Sequence, residues 1–105
     1  MNEGLKKKID SVWLESDYGK WCEAIAKNEV QKADTISKQI FDSGYPMIEI
    51  LEDELAGKLA GLINSEAEID EYLRLLEKEN SDLVGVIIQH ELFDKVSKRI
   101  ENTVI

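Results

Sequence analysis

The chain has 105 residues, and 43% of them are hydrophobic while 33% are charged. That length predicts one domain, residues 1–105, and that apolar content excludes a chain that is disordered throughout. The 22 acidic and 13 basic residues give a net charge of -9 at pH 7, which disfavours direct binding to nucleic acids and to anionic membrane surfaces because like charges repel.

Two further exclusions follow from composition. No stretch approaches the roughly 18 to 20 apolar residues that a membrane-spanning helix needs. The single cysteine, Cys22, excludes a disulfide within the chain. A reducing, cytoplasmic location is therefore expected.

Helical periodicity dominates the first half of the chain, and strand patterns are nearly absent. Leu5, Ile9 and Trp13 fall on one helical face and predict a first helix over about Asn2 to Glu15. A second helix is predicted from about Tyr18 to Asp42. Its apolar stripe shifts near residues 28 and 29, so we expect a bend or break there, although one long helix is the alternative.

Turn residues divide the second half into three more helices. Gly44, Tyr45 and Pro46 separate the second helix from a third, predicted over about residues 46–63. Ser65 and Glu68 have the spacing of a capping box and open a fourth, over about residues 66–79. The last, over about residues 82–102, is apolar around much of its circumference, which is typical of a central helix or an oligomer interface.

Short connections between these helices favour antiparallel neighbours. The expected fold is therefore all-α, a compact antiparallel bundle of about four to five helices. The apolar tail, residues 103–105, is expected to dock on it.

Negative charge is concentrated in one part of the chain. Residues 49–91 contain twelve acidic and three basic residues, whereas residues 1–48 contain eight and seven. One interpretation is a solvated face that keeps the protein soluble. The other is a docking surface for a basic partner, since crowded like charges destabilise a protein until a partner neutralises them. The predicted partner-binding residues are Glu49, Glu52, Asp53, Glu54, Glu66, Glu68, Asp70 and Glu71.

Aromatic residues are concentrated before residue 46, and most are expected to be core anchors. For Tyr18 and Tyr45, which lie at predicted turns, the alternative is an exposed ring that acts as a binding hot spot.

Catalytic and metal sites are not predicted. His90 is the only histidine, and a zinc-protease helix would need a second one where the chain has Asp94. No serine has a matching base, and Gly57 and Gly61 lie inside a predicted helix rather than in a phosphate-binding loop. We therefore predict a protein without enzymatic activity, metal or cofactor.

In size, acidity and helical content, the chain resembles immunity proteins, antitoxins and phage-encoded inhibitors, although it shares no motif with them. The segregation of negative charge predicts an inhibitor that covers a basic surface of a partner, above all of a nuclease or nucleic-acid-binding protein, with carboxylates in place of the phosphates of a nucleic acid. The alternative is a structural or adaptor protein that forms a homodimer through its apolar C-terminal helix.

Overall fold

The structure is a computed structural model that describes residues 1–103. Over that range the chain forms α-helices and one π-helical turn, and it contains no strand. The all-α prediction is confirmed. The predicted number of four to five helices is wrong, because two of the predicted helices are each divided, which makes seven within the described range.

The elements are α1 (Glu3–Ile9), the π turn (Asp10–Leu14), α2 (Asp17–Ala26), α3 (Val30–Asp42), α4 (Ile48–Ala60), α5 (Glu66–Glu79), α6 (Ser81–Gln89) and α7 (Leu92–Thr103). The predicted docking of the tail concerns residues 104 and 105, which lie outside the described range.

The π turn continues α1, and side-chain hydrogen bonds from this turn reach Tyr72 of α5. Glu15 N–H donates to the carbonyl of Asp10 at 3.2 Å, which is the i to i+5 spacing of a π-helix. Trp13, within this turn, is completely buried, and its Nε1–H donates to the Tyr72 hydroxyl at 2.8 Å. That hydroxyl in turn donates to Asp10 Oδ1 at 2.5 Å. Both polar atoms of the buried rings are therefore satisfied.

Helix α2 begins immediately after the π turn and approaches it very closely. The Ser16 side chain caps α2 by accepting from Gly19 N–H at 3.3 Å. A Cβ atom on Gly19 would lie 2.3 Å from the carbonyl oxygens of both Trp13 and Leu14. This approach requires glycine at position 19.

The break expected near residues 28 and 29 is confirmed. Asn28 adopts φ +57°, a left-handed conformation that asparagine tolerates better than most residues. Glu29 N–H then donates to the carbonyl of Ala24 at 2.9 Å, which closes the turn. The chain reverses here, and α3 packs back against α2.

Helix α5 has the predicted limits, Glu66–Glu79, because its capping signal is local. Ser65 Oγ accepts from Glu68 N–H at 3.3 Å, and the Glu68 carboxylate accepts from Asn64 N–H at 3.2 Å. Both side chains of the predicted capping box are engaged at this terminus.

The predicted last helix is two helices, α6 and α7. His90 is in an extended conformation, with φ -100° and ψ 153°, and it separates them. The break allows the apolar residues of each part to face different neighbours, since α6 packs against α2 and α5 while α7 packs mainly against α4. One straight helix could not bury both sets. The break also places the His90 ring 4.8 Å from that of Trp21.

Candidate functional site

The residues predicted to bind a partner form two groups in the structure. One lies on α4 and the other on α5 or at its N-terminus. The two helices make few contacts with each other, and both pack against α7. The positions of the charged side chains on α7 therefore determine which carboxylates of α4 and α5 are neutralised and which can bind a partner.

Glu52 is not part of any exposed surface. Its side chain is only 2% exposed, where it accepts from the Tyr18 hydroxyl at 2.6 Å and lies 3.5 Å from Lys95 Nζ. Its place in α4, three and four residues before the buried Leu55 and Ala56, explains this burial. Tyr18 is completely buried as well, so it is a core anchor, and the alternative of an exposed binding ring does not hold for it.

The other carboxylates of the α4 group are partly neutralised. Lys95 Nζ lies 3.2 Å from Asp53 Oδ1, and it also donates to the carbonyl of Glu49 at 3.2 Å. Desolvation by itself would lower the pKa of Lys95, but the hydrogen bond to Asp53 and the charges of Glu52 and Asp53 outweigh it and raise that pKa. Glu54 accepts from the Tyr45 hydroxyl. Only Glu49 in this group is exposed with its carboxylate unengaged.

Helix α7 directs its cations and anions to different neighbours. Lys95 and Arg99, one turn apart, both contact α4, and Arg99 donates to the carbonyl of Asp53 at 3.2 Å. Asp94 and Ser97 line a groove against α5 instead. Two of the three basic residues of α7 therefore contact α4, whereas the third, Lys98, lies near Glu101 and an acidic residue adds to the negative charge of α5.

The groove between α5 and α7 is the candidate site. It has a volume of about 280 Å³, and its apolar floor consists of Ile69, Leu73 and Phe93. Two exposed carboxylates from the predicted set, Glu66 and Asp70, lie on the α5 side, and the α7 side contributes Asp94 and Ser97.

Two carboxyl groups meet at this groove. Glu66 accepts from Ser97 Oγ at 2.5 Å and shares a hydrogen bond with the carboxyl of Glu101. The bond from Ser97, followed by that to Glu101, lowers the pKa of Glu66. The same shared bond and the negative charge of Glu66 raise the pKa of Glu101, although Lys98 acts in the opposite direction. Negative charge at this position is thus only partly compensated within the chain.

Two further predicted residues on α5 have structural roles. Glu68 belongs to the helix cap described above, and Glu71 forms an ion pair with the amino group of Met1. The structure thus brings only Glu66 and Asp70 of the predicted set into the groove. It adds Asp94 to the groove and Glu101 next to Glu66, and the sequence reasoning missed both because residues 92–105 carry a small net positive charge.

The remaining reactive side chains are occupied in packing. Burial raises the pKa of the Cys22 thiol to about 12, so at neutral pH it is protonated and a poor nucleophile. His90 packs against Trp21. Within residues 1–103, no group of three or more histidine, cysteine or acidic side chains is placed to hold a metal ion. In that same part of the chain, no helix combines the length and the apolar character needed to cross a bilayer.

In comparisons with known proteins, the chain matches no family model, no curated protein and no solved structure.

Proposed function

We propose that this protein is a non-enzymatic, acidic binding factor that covers a basic surface of a partner protein. In this proposal it acts as an inhibitor, in the manner of an immunity protein or antitoxin, in a reducing cytoplasmic setting. The observation that supports it best is the α5–α7 groove, in which carboxylates surround an apolar floor.

Lysine and arginine side chains suit such a groove. Their aliphatic stems pack on apolar surface while the charged heads reach anionic groups at the edge. Here the floor offers Leu73 and Phe93, and the edge offers Glu66, Asp70 and Asp94. A protein whose basic residues are spaced for phosphates presents several such side chains together, so a nucleic-acid-binding protein is the proposed target.

Self-association through the C-terminal helix is the weaker proposal. Most apolar residues of the predicted helix over residues 82–102, among them Leu92, Val96 and Ile100, are buried in the core of the chain itself, and Ile88 is its one large apolar residue that is strongly exposed.

The test compares charge reversal in the groove with an equal reversal elsewhere. One variant carries Asp70→Lys with Asp94→Lys, and the control carries Glu3→Lys with Glu15→Lys, which are exposed acids far along the chain from the groove. In pull-downs from cell lysate at low salt, we expect the wild type and the control to capture a basic protein. The groove variant should not capture it. Duplex DNA should release that protein, because it competes for the same basic surface.

Two results would reject the proposal. One is retention of the same proteins by all three forms. The other is retention that neither salt nor DNA weakens, because charge complementarity requires sensitivity to both.

A further inference from the structure

The corner between α3 and α4, residues 41–50, exposes large apolar side chains. Phe41 is 62% exposed, Met47 58% and Ile50 44%. In the part of the chain that the structure describes, only Val30 and Ile88 are comparably exposed among large hydrophobic residues, and they lie on other elements. Isolated exposed apolar residues are ordinary on a protein surface, but a concentration of them in one segment is typical of an interaction site.

This exposure is not a consequence of a frayed loop. Tyr45 N–H donates to the carbonyl of Ile40 at 3.3 Å, and Ser43 Oγ donates to that of Gln39 at 2.8 Å. Gly44 takes φ +103°, which makes the tight turn possible. Helices α3 and α4 thus enter and leave the corner in fixed directions.

A cavity of about 210 Å³ adjoins the corner. Ile40, Tyr45 and Leu51 contribute to its apolar lining, and Asp17, Glu54 and Lys58 carry charge beside it. Ile40 and Leu51 are the buried neighbours in sequence of the exposed Phe41 and Ile50. The corner therefore combines protruding apolar side chains with a recess that could accept one from a partner.

The charge around the corner selects the kind of partner. Residues 39–54 include five acidic residues and no lysine or arginine. Glu52 and Asp53 are engaged by Lys95, and Glu54 by Tyr45, whereas Asp42 and Glu49 remain exposed. A second copy would bring the same exposed carboxylates to the interface, which like-charge repulsion opposes.

We propose that the α3–α4 corner docks an amphipathic, basic helix of another protein, with its apolar face on Phe41, Met47 and Ile50. Its lysine or arginine side chains would meet Asp42 and Glu49. The surface lies on different helices from the α5–α7 groove, so the inference goes beyond the proposed function and stands or falls separately from it.

The test uses a labelled peptide of leucine and lysine that folds as an amphipathic helix, with a leucine–glutamate peptide of the same pattern as its counterpart. Fluorescence anisotropy measures binding to the wild type, to Phe41→Ser with Met47→Ser, and to a control of Val30→Ser with Ile88→Ser. We expect the corner variant to lose at least about tenfold in affinity for the basic peptide, as the removal of central apolar anchors does. The control should bind as the wild type, and the acidic peptide should bind none of them.

Two further measurements distinguish binding at the corner from binding at the α5–α7 groove. Amide chemical shifts should change around residues 41–50 when the peptide binds, and Asp70→Lys with Asp94→Lys should not weaken that binding. If the double corner variant does not fold, Ile50→Ser alone serves in its place. Equal affinity of the corner variant and the wild type would overturn the proposal. So would shift changes confined to α5 and α7, or a concentration-dependent dimer that the corner substitutions abolish, since the occupant would then be a second copy.

Discussion

Replacement of Gly19 by alanine tests the close approach of α2 to the π turn. Helix propensity alone favours alanine over glycine by up to about 1 kcal/mol. The geometry predicts the opposite sign, because the added Cβ would lie 2.3 Å from two backbone carbonyl oxygens, where ordinary contact begins at 3.4 Å. The backbone must therefore move by about 1 Å at a point that also positions the buried Trp13.

The expected size of the effect follows from these two contributions. Overpacking costs about 3 kcal/mol at the upper end of the usual range, which fits an obstacle made of backbone atoms. Subtracting the gain in helix propensity leaves a net loss of about 2 kcal/mol in the free energy of unfolding. For a chain of this size that loss corresponds to a melting temperature lower by about 8 to 16 °C.

Gly85→Ala is the matched control. Gly85 lies in the middle of α6, and a Cβ there would meet no heavy atom within 4 Å. We expect this variant to gain up to about 1 kcal/mol, because only helix propensity changes. Urea unfolding followed by far-UV circular dichroism measures both variants. If Gly19→Ala proves as stable as the wild type, the close approach of α2 to the π turn is wrong.

The other predictions concern buried and paired groups. Tyr72→Phe should lower the free energy of unfolding by about 1 to 3 kcal/mol, because it leaves the buried Trp13 N–H without its acceptor; unchanged stability in urea would contradict that bond. Glu101→Gln should raise the melting temperature at neutral pH. The pKa of Glu101 is raised by Glu66, so its ionisation opposes folding, and stability is lost as pH rises through that pKa. The advantage should disappear near roughly pH 4, around the usual glutamate pKa, and an equal gain at both pH values would exclude this cause. The thiol of Cys22 should react with a disulfide reagent only as fast as the protein unfolds, and rapid labelling of the native protein would show that it is not buried.

Local signals predicted the parts of the fold that depend on a few neighbouring residues. The capping box at Ser65 and Glu68 placed the start of α5 correctly, and the shift of the apolar stripe identified the break at Asn28. In both cases, the bonds that form the feature join residues no more than five positions apart.

The features that the sequence did not predict depend on distant contacts. No proline or glycine marks the division between α6 and α7, which occurs at His90. The division follows from the different neighbours of the two helices. The π turn is favoured by Trp13 bonding to Tyr72, which lies 59 residues further along the chain. Neither partner can be identified from periodicity.

The candidate site was predicted only in part for a similar reason. Net charge per segment pointed to α4 and α5, but it does not distinguish a carboxylate that a lysine neutralises from one that stays exposed. Helical spacing would have separated Lys95 and Arg99 from Asp94 on α7, and it would have placed Glu52 on the buried stripe of α4.

The extra residue in the π turn limits how this part of the chain can change in length. Deleting one residue between positions 10 and 14 would restore regular α-helical hydrogen bonding. Because a π turn absorbs its extra residue locally, the helical segments on either side would keep nearly the same orientation. Removal of Ser11 or Val12 would, however, leave Asp10 and Trp13 two positions apart instead of three, about 200° around the helix axis. Asp10 and Trp13 would then no longer both face Tyr72. A more regular helix would thus be gained only by losing one of the two hydrogen bonds at the Tyr72 hydroxyl, so shortening here should be tolerated less than at residues 27 and 28, which are exposed.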